Sequence, residues 1–281
     1  MRETPVWWQG FENSSGLNPR RPPSVPQLAH ELATLPVSGE VQAADWIRER
    51  LHPVAQDVGS VVPPGFAAYA LIFHPASVTD RPDVNVRWSD IAALSGKTVH
   101  PEMQFHAIAP PDLEPDPPKL GALSKRQAEA LVAVLSAETS TPDSCWFCLW
   151  DGHGYLHPGA SAVFVAARPP FARLRVGIRR LQLRWSAPRY PRPDGPRVRL
   201  PGRDYLLFHA ALVEAVGLED GPNLWWPDDR AWCVASEIDF PFTYVGGPQA
   251  LIDAIINDPE IEALAATPAD GITYDSDKIN S

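Results

Sequence analysis

The sequence predicts an α+β fold: an antiparallel or mixed sheet, formed mainly by residues 144–245, with helices packed on one side. Three observations lead there. Helix-period patterning is concentrated before residue 140. Beyond it, short apolar and alternating runs of strand type dominate. There are also 32 prolines among 281 residues, roughly twice the usual share. Proline fixes φ and removes a backbone donor, so elements should be short and connections long. A chain of this length buries about three quarters of its unfolded surface, enough for a core without covalent staples.

Residues 1–38, rich in Pro, Asn, Ser and Gly, read as an irregular arm, with Trp7, Trp8 and Phe11 as anchors. Residues 39–266 read as one α+β domain. A helix is expected over 40–51, where Val41, Ala44, Ile47 and Leu51 share a stripe and Pro53 ends the pattern. Pro63-Pro64-Gly65 turns the chain into a strand over 66–73, ended by His74-Pro75. A short helix over 89–94 has Ser89 as its N-cap and Gly96 past its end. A short strand is expected over 103–108. Residues 109–118 form a proline-rich acidic connector, the best internal boundary in the chain.

Ser124 with Gln127 three residues on is a capping-box pattern, and the helix it opens should run to about Glu138. Strands are expected over 145–150 and 162–167, with Asp151-Gly152 as a turn between them. Over 173–185 arginine alternates with apolar residues, with a phase slip at Arg179-Arg180 that implies a bulge. A strand over 204–208 leads to a short helix over 210–216. Residues 225–230 read as a turn, 231–238 and 242–245 as strands, and 249–257 as a helix. Residues 267–281 are polar and expected to be a flexible tail.

The net charge of -10 is unevenly spread. Residues 168–203 hold eleven arginines and one acid, Asp194; the remainder holds 13 basic and 33 acidic side chains. An all-arginine stretch favours bidentate pairing with carboxylate or phosphate. Nucleic acid is nevertheless not the expected partner, because no aromatics interleave with the arginines on their outward face and the rest of the chain is strongly acidic. No secretory signal is visible at the N-terminus. No apolar run is long enough to span a membrane. The cysteine count of three does not suit a disulfide framework. A cytoplasmic setting is expected.

Four constellations invite chemistry. Cys145, Cys148, His153 and His157 have a zinc-like spacing. On a strand, however, residues three apart point to opposite faces, so no metal site is expected. No hydrolase elbow, phosphate loop or dinucleotide motif surrounds any serine or cysteine. Four of eight histidines precede proline, which holds them extended; His74, His100 and His106 flank Phe73 and Phe105 and could share a site with carboxylates. Glu237 and Asp239, two apart, would share a strand face, to bind a cation, do acid–base work, pair with the arginines or simply cover a solvated face. Trp225, Trp226, Asp228, Asp229 and Arg230 make an aromatic and charged segment suited to binding.

The run Trp225-Trp-Pro-Asp-Asp-Arg-Ala-Trp-Cys-Val-Ala-Ser-Glu-Ile-Asp239, with Thr243-Tyr-Val-Gly-Gly247 and Ala250-Leu-Ile-Asp253, resembles a family of uncharacterised proteins from high-GC bacteria. Pro64-Gly-Phe-Ala-Ala-Tyr69, Phe73-His-Pro75 and Val99-His-Pro-Glu-Met-Gln-Phe-His106 fit the same resemblance, which spans most of residues 40–265. It implies no activity and no site residues. The expected function is a non-enzymatic protein-binding role, of the immunity or inhibitor kind, with no cofactor. The alternative is a hydrolase-like enzyme whose aromatic-lined pocket uses His and carboxylate groups.

Overall fold

The computed structural model describes residues 36–53, 56–78, 81–109, 115–153, 194–217 and 221–280. In chain order these hold a 3-10 turn over Val41–Ala44 that runs into α1 (Asp45–Arg48). Strands β1 (Ala68–Phe73), β2 (Ala76–Val78) and β3 (Arg81–Val86) follow, then α2 (Trp88–Ser95), α3 (Phe105–Ile108), β4 (Pro115–Asp116) and α4 (Lys125–Ala137). Next come β5 (Cys145–Trp150), β6 (Val198–Leu200), β7 (Arg203–Ala210), a 3-10 turn over Leu212–Gly217, β8 (Leu224–Pro227), β9 (Cys233–Ser236), β10 (Phe242–Gly247), α5 (Gln249–Asn257) and β11 (Ala263–Ala266).

Eight strands form one sheet in the order β11-β1-β10-β9-β8-β5-β7-β6, and every pairing is antiparallel. The α+β class therefore holds. The sheet reaches beyond 144–245, because β1 inserts between β10 and β11, with Leu71 facing Tyr244 on one side and Leu264 on the other. Strands β2, β3 and β4 make a smaller sheet.

Alternation along the central strands splits the core into two layers. Cys145, Phe147, Leu149, Trp225, Val234 and Val245 face the layer that holds Leu131 and Leu135 of α4 and Leu251, Ile252 and Ile255 of α5. Trp146, Cys148, Trp226, Cys233 and Tyr244 face the other layer. The two longest helices thus pack on one side, as expected. The opposite face is covered too, by the short α1, α2 and α3 through Trp46, Ile47, Trp88, Ile91 and Ile108. Strands buried on both faces read as continuous apolar runs, which is why 145–150 shows no alternation in sequence.

The capping box at Ser124 and Gln127 forms as its spacing predicts. The start of α2 does not follow expectation. Ser89 is not its N-cap; the amides of Trp88 and Ser89 donate to the Glu262 carboxylate at 2.8 and 2.7 Å, so a distant acid occupies the helix N-terminus. Gly96 ends α2 with φ 68. Residues 105–108 are helical rather than a strand. Trp225 and Trp226 lie inside β8, so only Asp228, Asp229 and Arg230 make the turn.

The connector at 109–118 ends in β4, which pairs with β2; residues 110–114 lie outside the described residues, as do residues 1–35 of the arm expected over 1–38 and the expected strands within 162–185. The expected loose tail is instead docked: Ile272, Asp277 and Asn280 are buried. Its polar residues, which suggested solvation, are the groups that bind it to the body. Asp277 accepts from the Gln104 amide at 3.2 Å, and Asn280 Nδ2 donates to the Thr98 carbonyl at 2.9 Å.

Candidate functional site

The β6–β7 hairpin turns on Pro201-Gly202, with proline presetting φ and Gly202 taking φ 81, as a type II turn requires. The turn delivers Arg203 to the mouth of a cleft of about 380 Å³. Arg203 lies 4.9 Å over the Trp150 ring, and that ring in turn occupies the space a Cβ on Gly152 would need. Its Nε donates to Glu237 Oε2 at 2.8 Å and its Nη2 lies 2.5 Å from Oε1, a forked pair; Asp239 stands off at 3.5 Å from the same Nη2. The Ile238 amide donates to Glu237 Oε1 at 2.8 Å. Burial pushes the Glu237 carboxyl up, and the Arg203 charge offsets this only in part.

Leu51, Val61, Leu224, Phe240 and Ile272 supply the apolar wall. Asn223 ties the floor together, accepting from the Trp150 amide at 2.7 Å and donating to the Ser236 carbonyl at 3.2 Å. Tyr205 lines the same cleft, and no described residue hydrogen-bonds its hydroxyl. Burial, then the nearby Glu237, push that phenol well above its usual range, so it stays protonated. A more open recess of about 470 Å³ shares Arg203 and adds Asp151 and Asp204. Asp151 pairs with Arg197 at 3.2 Å.

The expected histidine site does not assemble. His74 is fully buried, with Nδ1 2.7 Å from the Lys119 carbonyl and Nε2 2.9 Å from Thr243 Oγ1. Desolvation lowers its pKa to about 4, so it is neutral and structural. His100 Nε2 lies 3.0 Å from Asp277 Oδ1. His106 stacks on Tyr274 with centroids 3.6 Å apart. None of the three lines the cleft, the recess or a smaller cavity beside Arg126. Glu237 and Asp239 do come together, but beyond the end of β9; their shared partner Arg203 gathers them, not strand alternation.

The aromatic segment is placed differently from expectation as well. Trp225 and Trp226 are 3% and 1% exposed, so neither offers a face to a partner. A run of aromatics next to charges reads as a binding surface in sequence, but in an inner strand it is core. Asp229 organises the turn: it accepts from Thr139 Oγ1 at 2.9 Å and from the Ser140 amide at 2.7 Å. Arg230, at φ 56, carries its guanidinium 5.6 Å over Trp46. Asp228 accepts from Trp146 Nε1 and, at 2.5 Å, from Ser144 Oγ.

His209, absent from the sequence-level candidates, completes that group, with Nε2 2.9 Å from Ser144 Oγ and 3.7 Å from Asp228 Oδ1. A nucleophilic relay places the carboxylate on the opposite ring nitrogen. Here one nitrogen faces both, on open surface, so the group is not a triad.

Cys145 and Cys148 lie on opposite faces of β5, and with Cys233 they are buried and free. Burial first, then Asp228, Asp229 and Asp143, push the Cys145 thiol up to about 12. Among the described residues no three His, Cys, Asp or Glu side chains are grouped to hold a metal ion; His157 lies outside them. Nor is any helix among them long and apolar enough to cross a membrane.

The functional residues that sequence reasoning missed are Arg203 and Tyr205. Arg203 was visible only as the last arginine of a basic stretch. The Pro201-Gly202 turn before it was the one local signal that set it apart. No family model matches the chain, and no curated protein or solved structure is significantly similar to it.

Proposed function

We propose that this protein acts by binding another protein rather than by catalysis, in the manner of an immunity or inhibitor protein. One observation carries the reading: the groups that acid–base chemistry would need are engaged elsewhere. His74 is buried between a carbonyl and a threonine, His100 holds Asp277, and Glu237 is locked to Arg203. Among the described residues no histidine lines the main cleft. The excess of acid outside residues 168–203 supports a partner of opposite charge, since complementary charge steers association.

The test is capture of partners by the tagged full chain in its native cell, followed by titration of the purified partner at two salt concentrations. The expected result is a defined complex whose association slows as salt rises. Failure to obtain any reproducible partner overturns the reading.

A further inference from the structure

We infer that the cleft bounded by Arg203, Tyr205 and Glu237 binds an organic cation, a guanidinium or ammonium group on an aliphatic stem. Resting on the binding reading above, that cation is a basic side chain presented by the partner.

The charge balance of the cleft decides the class. Among the described residues Arg203 is its one cationic lining residue, and that cation is already engaged. Glu237 holds two of its nitrogens, and Trp150 covers one face of the guanidinium. An incoming anion would have to displace a half-buried carboxylate from a forked pair, at the cost of leaving that carboxylate unpaired. A cation meets the opposite situation. Asp239 is 73% exposed at the rim and makes only a 3.5 Å contact. Asp204, exposed in the adjoining recess, has no described ion pair.

Tyr205 supplies the second, independent observation. Its side chain is half-buried at the cleft, and no described residue hydrogen-bonds its hydroxyl, which is open to a ligand. A phenol oxygen there can accept from an N–H donor. The walls then suit the stem: Leu51, Val61, Phe240 and Ile272 are apolar, and long basic side chains lay their methylenes along such surfaces. At about 380 Å³ the cleft falls within the span of small-ligand sites.

Butylguanidinium and butyrate are the probes, titrated into the isotope-labelled full chain and followed by amide and indole chemical shifts. Butylguanidinium should give saturable shifts centred on Trp150, Arg203, Tyr205 and residues 238–240. Butyrate should give none there. Asp239→Asn, whose side chain is exposed and whose fold can be checked by thermal unfolding, should weaken butylguanidinium about fivefold; Tyr205→Phe should weaken it as well.

Absence of saturable shifts at the cleft, or equal shifts with butyrate, overturns the inference. Should a purified partner bind wild type, Asp239→Asn and Tyr205→Phe equally while the butylguanidinium titration is silent, the cation site falls and the protein-binding reading stands. Should butylguanidinium saturate the cleft and no partner exist, the site stands and that reading falls.

Discussion

Two clusters of charge sit at different depths, and the contrast between them separates structure from recognition. Around Asp277, every neighbour is committed. The carboxylate accepts from the amides of Gln104, Ile279 and Asn280, at 3.2, 3.1 and 2.8 Å, and meets His100 at 3.0 Å, with side-chain exposures of 2% for Asp277 and 10% for His100. Around Arg203, the inner carboxylate is committed, but the outer one, Asp239, faces water and the Tyr205 hydroxyl has no described partner. A saturated buried network fastens the chain to itself. An incompletely satisfied one at a cleft mouth leaves valences for something else. The two are physically linked, since the segment fastened through Asp277 also carries Ile272, which forms part of the cleft wall.

The largest expected effect comes from breaking the saturated cluster. Asp277→Ala leaves the Gln104, Ile279 and Asn280 donors buried without an acceptor. Loss of one member of such a network costs about 3 kcal/mol or more. Urea unfolding should show that loss, and hydrogen exchange should show faster opening across residues 272–280 than across β5 or β10. An unchanged unfolding midpoint would mean that the segment is held by its apolar contacts alone. The same substitution should loosen the cleft wall at Ile272, so butylguanidinium binding should weaken even though no group facing the cation has changed.

Acid should separate two buried groups by window. His74 titrates near 6.5 when unfolded and about 4 when folded. Its folded pKa is depressed, so the unfolded chain binds more protons below 6.5. Stability is complete above that pH and falls as pH drops towards 4, by about 3 kcal/mol in all. Asp277 follows at lower pH. Burial pushes it up, but hydrogen bonds from Asn280, Gln104 and His100 outweigh burial and hold it at about 2. The stability it supplies is present above about 4 and lost as pH falls towards 2. Denaturant midpoints from pH 7 to 3 should therefore decline in two stages, and His74→Gln should remove the first. A decline of that first stage with the same slope in His74→Gln would show that other groups drive it.

Much of the fold was legible because it rests on local physics. The capping box at Ser124, the stripe of Leu251, Ile252 and Ile255 after Pro248, and the unbroken apolar run of β5 each declare themselves within a dozen residues. The failures share a cause as well. The cap of α2 is Glu262, far away in sequence, and a search for a local N-cap residue cannot find it. The C-terminal segment looked polar and loose because polar residues are equally at home in solvent and in a buried hydrogen-bond network; only the Asp277 partners tell which. Trp225 and Trp226 looked like a turn because Asp228, Asp229 and Arg230 follow, whereas their burial is decided by β5 and β9 on either side. The cleft was half legible. Glu237 and Asp239 stood out as a pair and pairing with arginine was among the expectations, but only the Pro201-Gly202 turn set Arg203 apart from ten other arginines, and nothing in sequence placed Tyr205 beside it.

The smallest expected effect is the sharpest discriminator between the two clusters. Asp239→Asn keeps the shape of a side chain that is 73% exposed and gives up one 3.5 Å contact to Arg203, whose bonds to Glu237 remain. Surface changes of this kind stay within about 0.5 kcal/mol of wild type. The unfolding curve should thus be superimposable on that of the parent. Combined with Asp277→Ala, the stability effects should simply add, since the two carboxylates share no described partner. Recognition should behave oppositely. Asp239→Asn leaves the fold alone and weakens cation binding through lost charge, while Asp277→Ala weakens it only through the loosened Ile272 wall. Raising salt should therefore diminish the wild-type affinity and that of Asp277→Ala, but have less effect on Asp239→Asn, whose charge contribution is already gone. If salt sensitivity were the same in all three, the Asp239 carboxylate would not be what draws the cation, and the division between a structural and a recognising charge cluster would fail at that residue.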